Sequence, residues 1–278
     1  AASAGADVVV LPELTLTGYP PMDLLERDRF VDDQLSELDE LAKTSRQIAI
    51  VVGAVMRADA ARPKAIENAA VVLAEGRRLA YRSKTLLPTS DVFDETRYFA
   101  KARGRSPVDV PGLDLSLGLA VCEDTWYQTR PYPVDPVAEL AARGAGVILN
   151  PSASPWHVGK AAERRAMLAD VARRNDRPVV FVNQVGGNDE LVFDGGSCVI
   201  DVNGEVHAAL PLFETGLSIC ELPLGPGTPL EAVEDPDAVA QLERGLVLGI
   251  RDYFLKQNLP PGAVIGLSGG IDSAVTAY

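Results

Sequence analysis

At 278 residues, 47% of them hydrophobic, the chain is long enough to bury one large core and leave a remainder for a second unit. Its 26 basic residues against 39 acidic ones give a formal charge of −13. No run of Lys and Arg is long enough to neutralise a line of phosphates, which argues against nucleic acid or an anionic membrane as partner. Cys122, Cys198 and Cys220 show no C-x-x-C spacing, and the histidines are only His157 and His207. That usage gives the expectation of a reduced, cytoplasmic, metal-free protein; no apolar run is long enough to span a membrane, and no basic-then-apolar leader is present. Residues 1–6 lack an initiator Met and read as the tail of a helix, so a missing front is expected.

Apolar runs bounded by Gly, Pro or Asn alternate along the chain with helical periodicity, the pattern of α/β units. Residues 7–12 read as a buried strand, and Leu35, Leu38, Leu41 and Ala42 mark one face of the helix that follows. A strand over 48–54 comes next; 68–74 and 79–84 flank Glu75-Gly76 and pair as a hairpin with a tight turn. Residues 115–122 alternate as a strand ending in charge. A helix over 134–143, a strand over 147–150, a helix over 160–175 and a strand over 179–183 follow. Residues 198–201, 206–210 and 217–222 read as a strand meander turning at Asn203-Gly204, so the sheet is expected to be mixed. The stretch 223–237 carries four prolines and four acids without periodicity and reads as a linker. Beyond it, 239–255 is amphipathic and leads to a segment ending in Ser273 that reads as a buried strand, a glycine turn and a helix start. The expected organisation is one domain over 1–222, a linker over 223–238 and the beginning of another domain over 239–278.

Three residues fall where strands should end: Glu13 after Val-Val-Val-Leu-Pro, Lys84 at the close of the hairpin, and Cys122 after Leu-Gly-Leu-Ala-Val. Strand ends in open α/β sheets project side chains into a crevice, which suits an active site. A free thiol is mostly protonated at neutral pH, and Lys84 and Glu13 could supply the cation and the base that activate it. Taken singly, each has a plainer reading: a strand-end Cys is usually a small core residue, and Glu or Lys there is usually solvated surface.

The neighbourhoods decide between these readings. Leu11-Pro-Glu-Leu-Thr-Leu-Thr-Gly-Tyr-Pro-Pro-Met-Asp-Leu-Leu25, Lys84 followed by Val92-Phe-Asp-Glu-Thr-Arg-Tyr-Phe99, and Val121-Cys-Glu-Asp-Thr-Trp126 resemble the carbon-nitrogen hydrolase (nitrilase) superfamily. The resemblance continues through 150–160 and 192–197. It implies a nitrilase-like α-β-β-α sandwich with Glu13, Lys84 and Cys122 as the catalytic set and Glu95 as a second glutamate near the site. It also implies that Ser154 and Lys160 contact the α-carboxylate or amino group of glutamine. One departure is Ser90, where many glutamine-using relatives carry Tyr. The implied chemistry has Glu13 take the thiol proton while Lys84, aided by a backbone N–H near Glu123, holds the oxyanion. A papain-like Cys-His pair is the competing reading, but neither His157 nor His207 lies in a nucleophile context. Cys198 and Cys220 read as core, and Trp126 and Trp156 as walls of the pocket.

Ser268-Gly-Gly-Ile-Asp-Ser273 lacks the Gly-Lys-Ser/Thr of a Walker loop. Two glycines alone would favour an ordinary turn; after a buried strand, however, they let backbone N–H groups approach an anion at a helix start. The segment resembles the pyrophosphate loop of enzymes that split ATP to AMP and pyrophosphate, beginning a Rossmann-like domain. Gly266, Ser268, Gly270, Asp272 and Ser273 would then bind ATP. The two blocks together resemble the glutamine-dependent NAD synthetase family. That resemblance implies ammonia release from glutamine for ATP- and Mg²⁺-dependent amidation of nicotinic acid adenine dinucleotide, in a homo-oligomer. A chain ending at Tyr278 is then expected to make no NAD. The rivals are a stand-alone amidase or carbamoylase and a non-catalytic module that kept the fold; the terminal loop counts against the first and the three catalytic residue types against the second.

Overall fold

A computed structural model describes residues 1–59, 64–89, 92–129, 132–224 and 234–278. Ser90 and the greater part of the expected linker lie outside the described residues. In chain order the regular elements begin with β1 (Val8–Val10), α1 (Asp28–Ala42), β2 (Ala49–Arg57), β3 (Ile66–Ala74), β4 (Arg77–Ser83) and α2 (Glu95–Tyr98). They continue with β5 (Leu117–Leu119), α3 (Pro136–Ala142), β6 (Val147–Ser152), α4 (Lys160–Asn175) and β7 (Val179–Asn183). Then come β8 (Val185–Asn188), β9 (Leu191–Asp194), β10 (Cys198–Ile200), β11 (Val206–Ala209), α5 (Ala238–Lys256) and α6 (Ile271–Ala277).

Two sheets stack face to face. The first has order β1-β2-β3-β4, with β1 parallel to β2 and the rest antiparallel; the second has order β11-β10-β7-β6-β5, parallel from β5 to β7. Ala49, Val51, Ala70 and Val72 from the first sheet meet Leu117, Leu119, Val147 and Leu149 from the second. The opposite face of β2 and β3 packs Ile50, Val52, Val71 and Leu73 on Leu38 and Ala42 of α1. The opposite face of the second sheet packs Ile148 and Phe181 on Val137 and Leu140 of α3 and Leu168, Val171 and Ala172 of α4. The layers therefore run helix, sheet, sheet, helix, as expected. Burial on both faces explains why β2 and β3 are almost continuous apolar runs. Each fully buried Val or Leu contributes about 1.5–3 kcal/mol.

Local signals match these elements. Glu75 and Gly76 take φ of +55° and +78°, the pair of left-handed residues that a type I′ hairpin needs between Ala74 and Arg77. Asp135 caps α3 by accepting from the Ala138 N–H at 3.0 Å, with Pro136 in the first turn.

Two expected strands are absent. Residues 217–222 form no strand; Leu217 and Ile219 are 62% and 49% exposed, and Cys220 is only half-buried rather than core. Nor is there a buried strand before the glycine turn, where Val264 and Leu267 are exposed. Both segments have the apolar character of strands, but a strand needs a neighbouring ladder, and none pairs with them among the described residues. A third element, the β8–β9 hairpin, was not expected. No element is expected between 183 and 198, yet the hairpin forms and Gly187 is required by packing: a Cβ there would lie 2.9 Å from Gly249 Cα in α5. α5 sits on this hairpin, capped by Asp237 and tied by the Gly187 N–H donating to Asp252 Oδ2 at 2.8 Å.

Candidate active site

Glu13, Lys84 and Cys122 lie at neighbouring ends of the two sheets, and all three are buried. Glu13 follows β1, where the chain passes directly over Gly53 of β2; a Cβ on Gly53 would stand 2.4 Å from Pro12 O and 2.6 Å from Glu13 C. Lys84 is the first residue beyond β4, its N–H donating to Asn68 O at 2.8 Å. Cys122 opens a short 3₁₀ turn, Cys122–Thr125, with φ +43°. A non-glycine side chain in that region costs about 1–3 kcal/mol and is typical of residues held for function. Asn150 of β6 donates to the carbonyls of Ala120 and Cys122 and fixes the turn from below.

The polar groups form one cluster. Lys84 Nζ donates to Glu13 Oε1 at 2.8 Å and to Glu95 Oε1 at 2.6 Å. Glu13 Oε1 also accepts from Asn68 Nδ2 at 2.7 Å, while Oε2 accepts from the Ala153 N–H at 3.0 Å. Tyr19 Oη donates to Glu95 Oε1 at 2.8 Å, and Glu95 Oε2 is buried without a partner. Burial acts against the Lys84 cation, but Glu13 and Glu95 outweigh it and raise its pKa well above the usual lysine value. Burial lifts Glu95 to about 7 against the pull of Lys84, with the negative charge of Glu13 adding to the rise. The thiol of Cys122 is pushed well up, first by burial and then by Glu13, with Lys84 opposing. Cys122 therefore rests as a thiol, and any attack by its sulfur would need a base to take the proton. Asp124 is pushed to about 7 by burial against three N–H donors and Lys84.

The other expected residues divide. Ser154 adjoins Ala153 and is buried, its N–H donating to Asn183 Oδ1 at 2.8 Å. Lys160, at the start of α4, places Nζ 3.9 Å from the ring centroid of Trp126 and 3.3 Å from Glu163 Oε2. Trp126 follows the Cys122–Thr125 turn, so Lys160 borders the cluster. Trp156 does not wall it: its ring meets Phe213 edge-on at 5.3 Å and fills the space over Gly245 of α5. His157 is exposed beside Glu163 and His207 pairs with Asp201, so neither serves Cys122. Ser268 and Gly270 are exposed and bond with half-buried Ser273 in the first turn of α6: the Ser268 N–H donates to Ser273 Oγ and the Gly270 N–H to Ser268 Oγ. Gly266 and Asp272 are exposed on the same segment.

Sequence reasoning missed the supporting shell. Asn68 and Tyr19 aim the two carboxyls. Arg164 forks onto Asp194 at 3.1 and 2.9 Å, and Asn183 links that pair to the Ser154 backbone. A buried Arg facing inward from α4 was the available signal, because such a charge needs a partner.

Comparison with known proteins agrees with this fold. A family model described as carbon-nitrogen hydrolase matches residues 1–229. The glutamine-dependent NAD(+) synthetase of Synechocystis sp. is 39% identical over 290 residues, covering 100% of this chain and 51% of that protein. The enzyme of the same name from Xanthomonas campestris is 38% identical, covering 97% and 48%. Among solved structures, glutamine-dependent NAD+ synthetase from Acinetobacter baumannii, in complex with ADP, superposes with a TM-score of 0.87 at 33% identity over 99% of this chain and 50% of that one. An amidase from Nesterenkonia sp. gives a TM-score of 0.63 at 26% identity, covering 77% and 76%. The chain spans about half the length of the curated relatives it matches. With the sandwich fold and a family match over most of its length, the chain belongs to the carbon-nitrogen hydrolase family.

Proposed function

We propose that this chain is the ammonia-releasing part of a glutamine-dependent NAD synthetase. The observation that carries the glutaminase half is the buried Lys84 held between Glu13 and Glu95 beside the strained turn of Cys122. In the proposed reaction Glu13 takes the thiol proton and the sulfur attacks the side-chain amide carbon of glutamine. Lys84 stabilises the oxyanion. Glu13 returns the proton to the departing ammonia, leaving a γ-glutamyl thioester on Cys122. Water, deprotonated by Glu13, cleaves that thioester and restores the thiol. The sum is glutamine plus water to glutamate plus ammonia. Ser154 and Lys160 hold the amino-acid end of glutamine, and Glu95 keeps Lys84 in place.

The ammonia would amidate nicotinic acid adenine dinucleotide, with ATP split to AMP and pyrophosphate, at a domain that begins after a linker over 223–238. Gly266, Ser268, Gly270, Asp272 and Ser273 would bind the ATP phosphates. The names of the relatives and the spacing of this loop support that half. Mg²⁺ is commonly held by one or two carboxylates together with phosphates. Asp272 is the one carboxylate of the loop and would be its candidate ligand to that metal. Three free cysteines and the resemblance support a cytoplasmic homo-oligomer that binds neither nucleic acid nor membrane; among the described residues no helix is long and apolar enough to cross a membrane. The amidase likeness favours a second reading, hydrolysis of an amide without an ATP-dependent acceptor.

Full-length protein carrying Cys122→Ala tests the proposal. It should lose NAD formation from glutamine yet keep it from free ammonia with ATP. Loss of both or of neither contradicts the division of labour, and amide hydrolysis with no NAD formation by the wild type favours the amidase.

A further inference from the structure

Lys84 and Cys122 belong to different sheets, and the sheets meet mainly through apolar side chains. Apolar contact is non-directional, so it holds the sheets together without fixing the lysine and the sulfur to within a fraction of an ångström. Directional bonds must do that. One of them is already in the cluster, the Ala153 N–H donating to Glu13 Oε2. The other belongs to a residue with no role in the proposed reaction. Asp124 is 2% exposed, and its carboxylate accepts three backbone N–H groups from the two sides. Oδ1 accepts from Thr85 N at 3.0 Å and Leu86 N at 2.7 Å, the two residues directly after Lys84. Oδ2 accepts from Val121 N at 3.1 Å, the residue directly before Cys122.

We propose that Asp124 is a positioning residue whose single carboxylate clamps the end of the lysine strand to the nucleophile's turn and so sets the approach of Lys84 to Cys122. An acceptor-only group is required, because all three partners are donors. Asn fills the same space but presents an NH₂ to one side, donor against donor, and loses half of the clamp whichever way it turns. The strained φ of Cys122 depends on such a hold, since a conformation of that cost persists only where its surroundings over-determine it.

The inference rests on the glutaminase reading, and its test uses full-length protein. In Asp124→Asn, kcat for glutamate release should fall roughly 10²-fold while KM for glutamine changes by less than about threefold, as displaced reacting groups with intact binding require. Asp201→Asn is the control: Asp201 Oδ1 also gathers two backbone N–H groups, Asn203 and Glu205 at 2.8 Å each, in a turn outside the site, and this variant should keep wild-type kcat. A kcat for Asp124→Asn within about threefold of wild type overturns the proposal, as does a KM increase matching the kcat loss. So does a loss that disappears once activity is counted per folded molecule from thermal melts. If the wild type releases no glutamate, the glutaminase reading fails and the clamp is judged by alkylation of Cys122 with iodoacetamide. A slowing of at least about fivefold in Asp124→Asn, absent from Asp201→Asn, supports it, and equal rates overturn it.

Discussion

Lys84→Met keeps the length of the side chain and removes its charge. In the native cluster Nζ is 2.8 Å from Glu13 Oε1 and 2.6 Å from Glu95 Oε1, with no participating side chain more than 5% exposed. Removing one partner of a buried ion pair costs about 3–5 kcal/mol. Here two carboxyls lose the same cation and are left facing each other, so the loss at pH 8 should lie near the upper end, about 5 kcal/mol. At about 2 °C per kcal/mol for a chain of this size, Tm should fall by roughly 10 °C. The deficit should depend on pH in one direction. Burial already holds Glu95 near 7 against the pull of Lys84, and without Lys84 it goes higher. A carboxyl raised above its unfolded value of about 4.3 adds stability at low pH and loses it as pH rises through the folded value. The gap between variant and wild type should therefore be widest at pH 8 and narrow towards pH 5, while amide hydrolysis falls at least about 10²-fold with the oxyanion donor gone. Thermal melts across that range, with ammonia release at pH 8, make the measurement. A Tm loss under about 2 °C at pH 8, or a gap that does not change with pH, would refute the charge argument.

Gly53→Ala should act on Glu13 without touching its side chain. The new Cβ would stand 2.2 Å from Leu14 N, so the backbone carrying Glu13 must move; the expected outcome is a stability loss of about 1–3 kcal/mol in chemical denaturation and a kcat roughly 10²-fold lower. Wild-type kcat in this variant would show that Glu13 tolerates displacement. Glu95→Gln removes the carboxyl that takes up a proton near pH 7, so the fall of Tm between pH 5 and pH 8 should flatten relative to wild type; an unchanged slope would assign the titration to another group. Arg164→Met leaves Asp194 buried at 0% exposure without its fork, and a loss of about 3–5 kcal/mol is expected, read by urea titration. A loss below about 1 kcal/mol would mean that Asn183 alone satisfies that carboxylate.

The layers were legible because β2, β3 and β6 are buried on both faces and carry the apolar runs that this demands, and because Glu75-Gly76 and Asp135-Pro136 are local signals that need no tertiary partner. The same signal misleads at 217–222 and before the glycine turn, since an apolar run states a preference for burial and not whether a ladder exists to receive it. The β8–β9 hairpin failed in the opposite sense. Gly187 weakens a strand, yet it is there because α5 approaches backbone to backbone at Gly249. In the site, the strand-end positions of Glu13, Lys84 and Cys122 were readable together with the blocks around them. The groups that aim them were not. Asp124 sat in view beside the nucleophile, but nothing in a one-dimensional chain tells that its oxygens meet Thr85, Leu86 and Val121, or that Asn68 and Tyr19 reach the two glutamates.

The central claim is that Cys122 is the nucleophile of an amide-cleaving site. Acid quenching of the full-length protein during turnover of glutamine, followed by peptide mass spectrometry, tests it most directly. The account predicts a γ-glutamyl thioester on the peptide carrying Cys122, absent in Cys122→Ala and lost on treatment with hydroxylamine. Glutamate release with no adduct on Cys122, or with the adduct on Cys198 or Cys220, would contradict it.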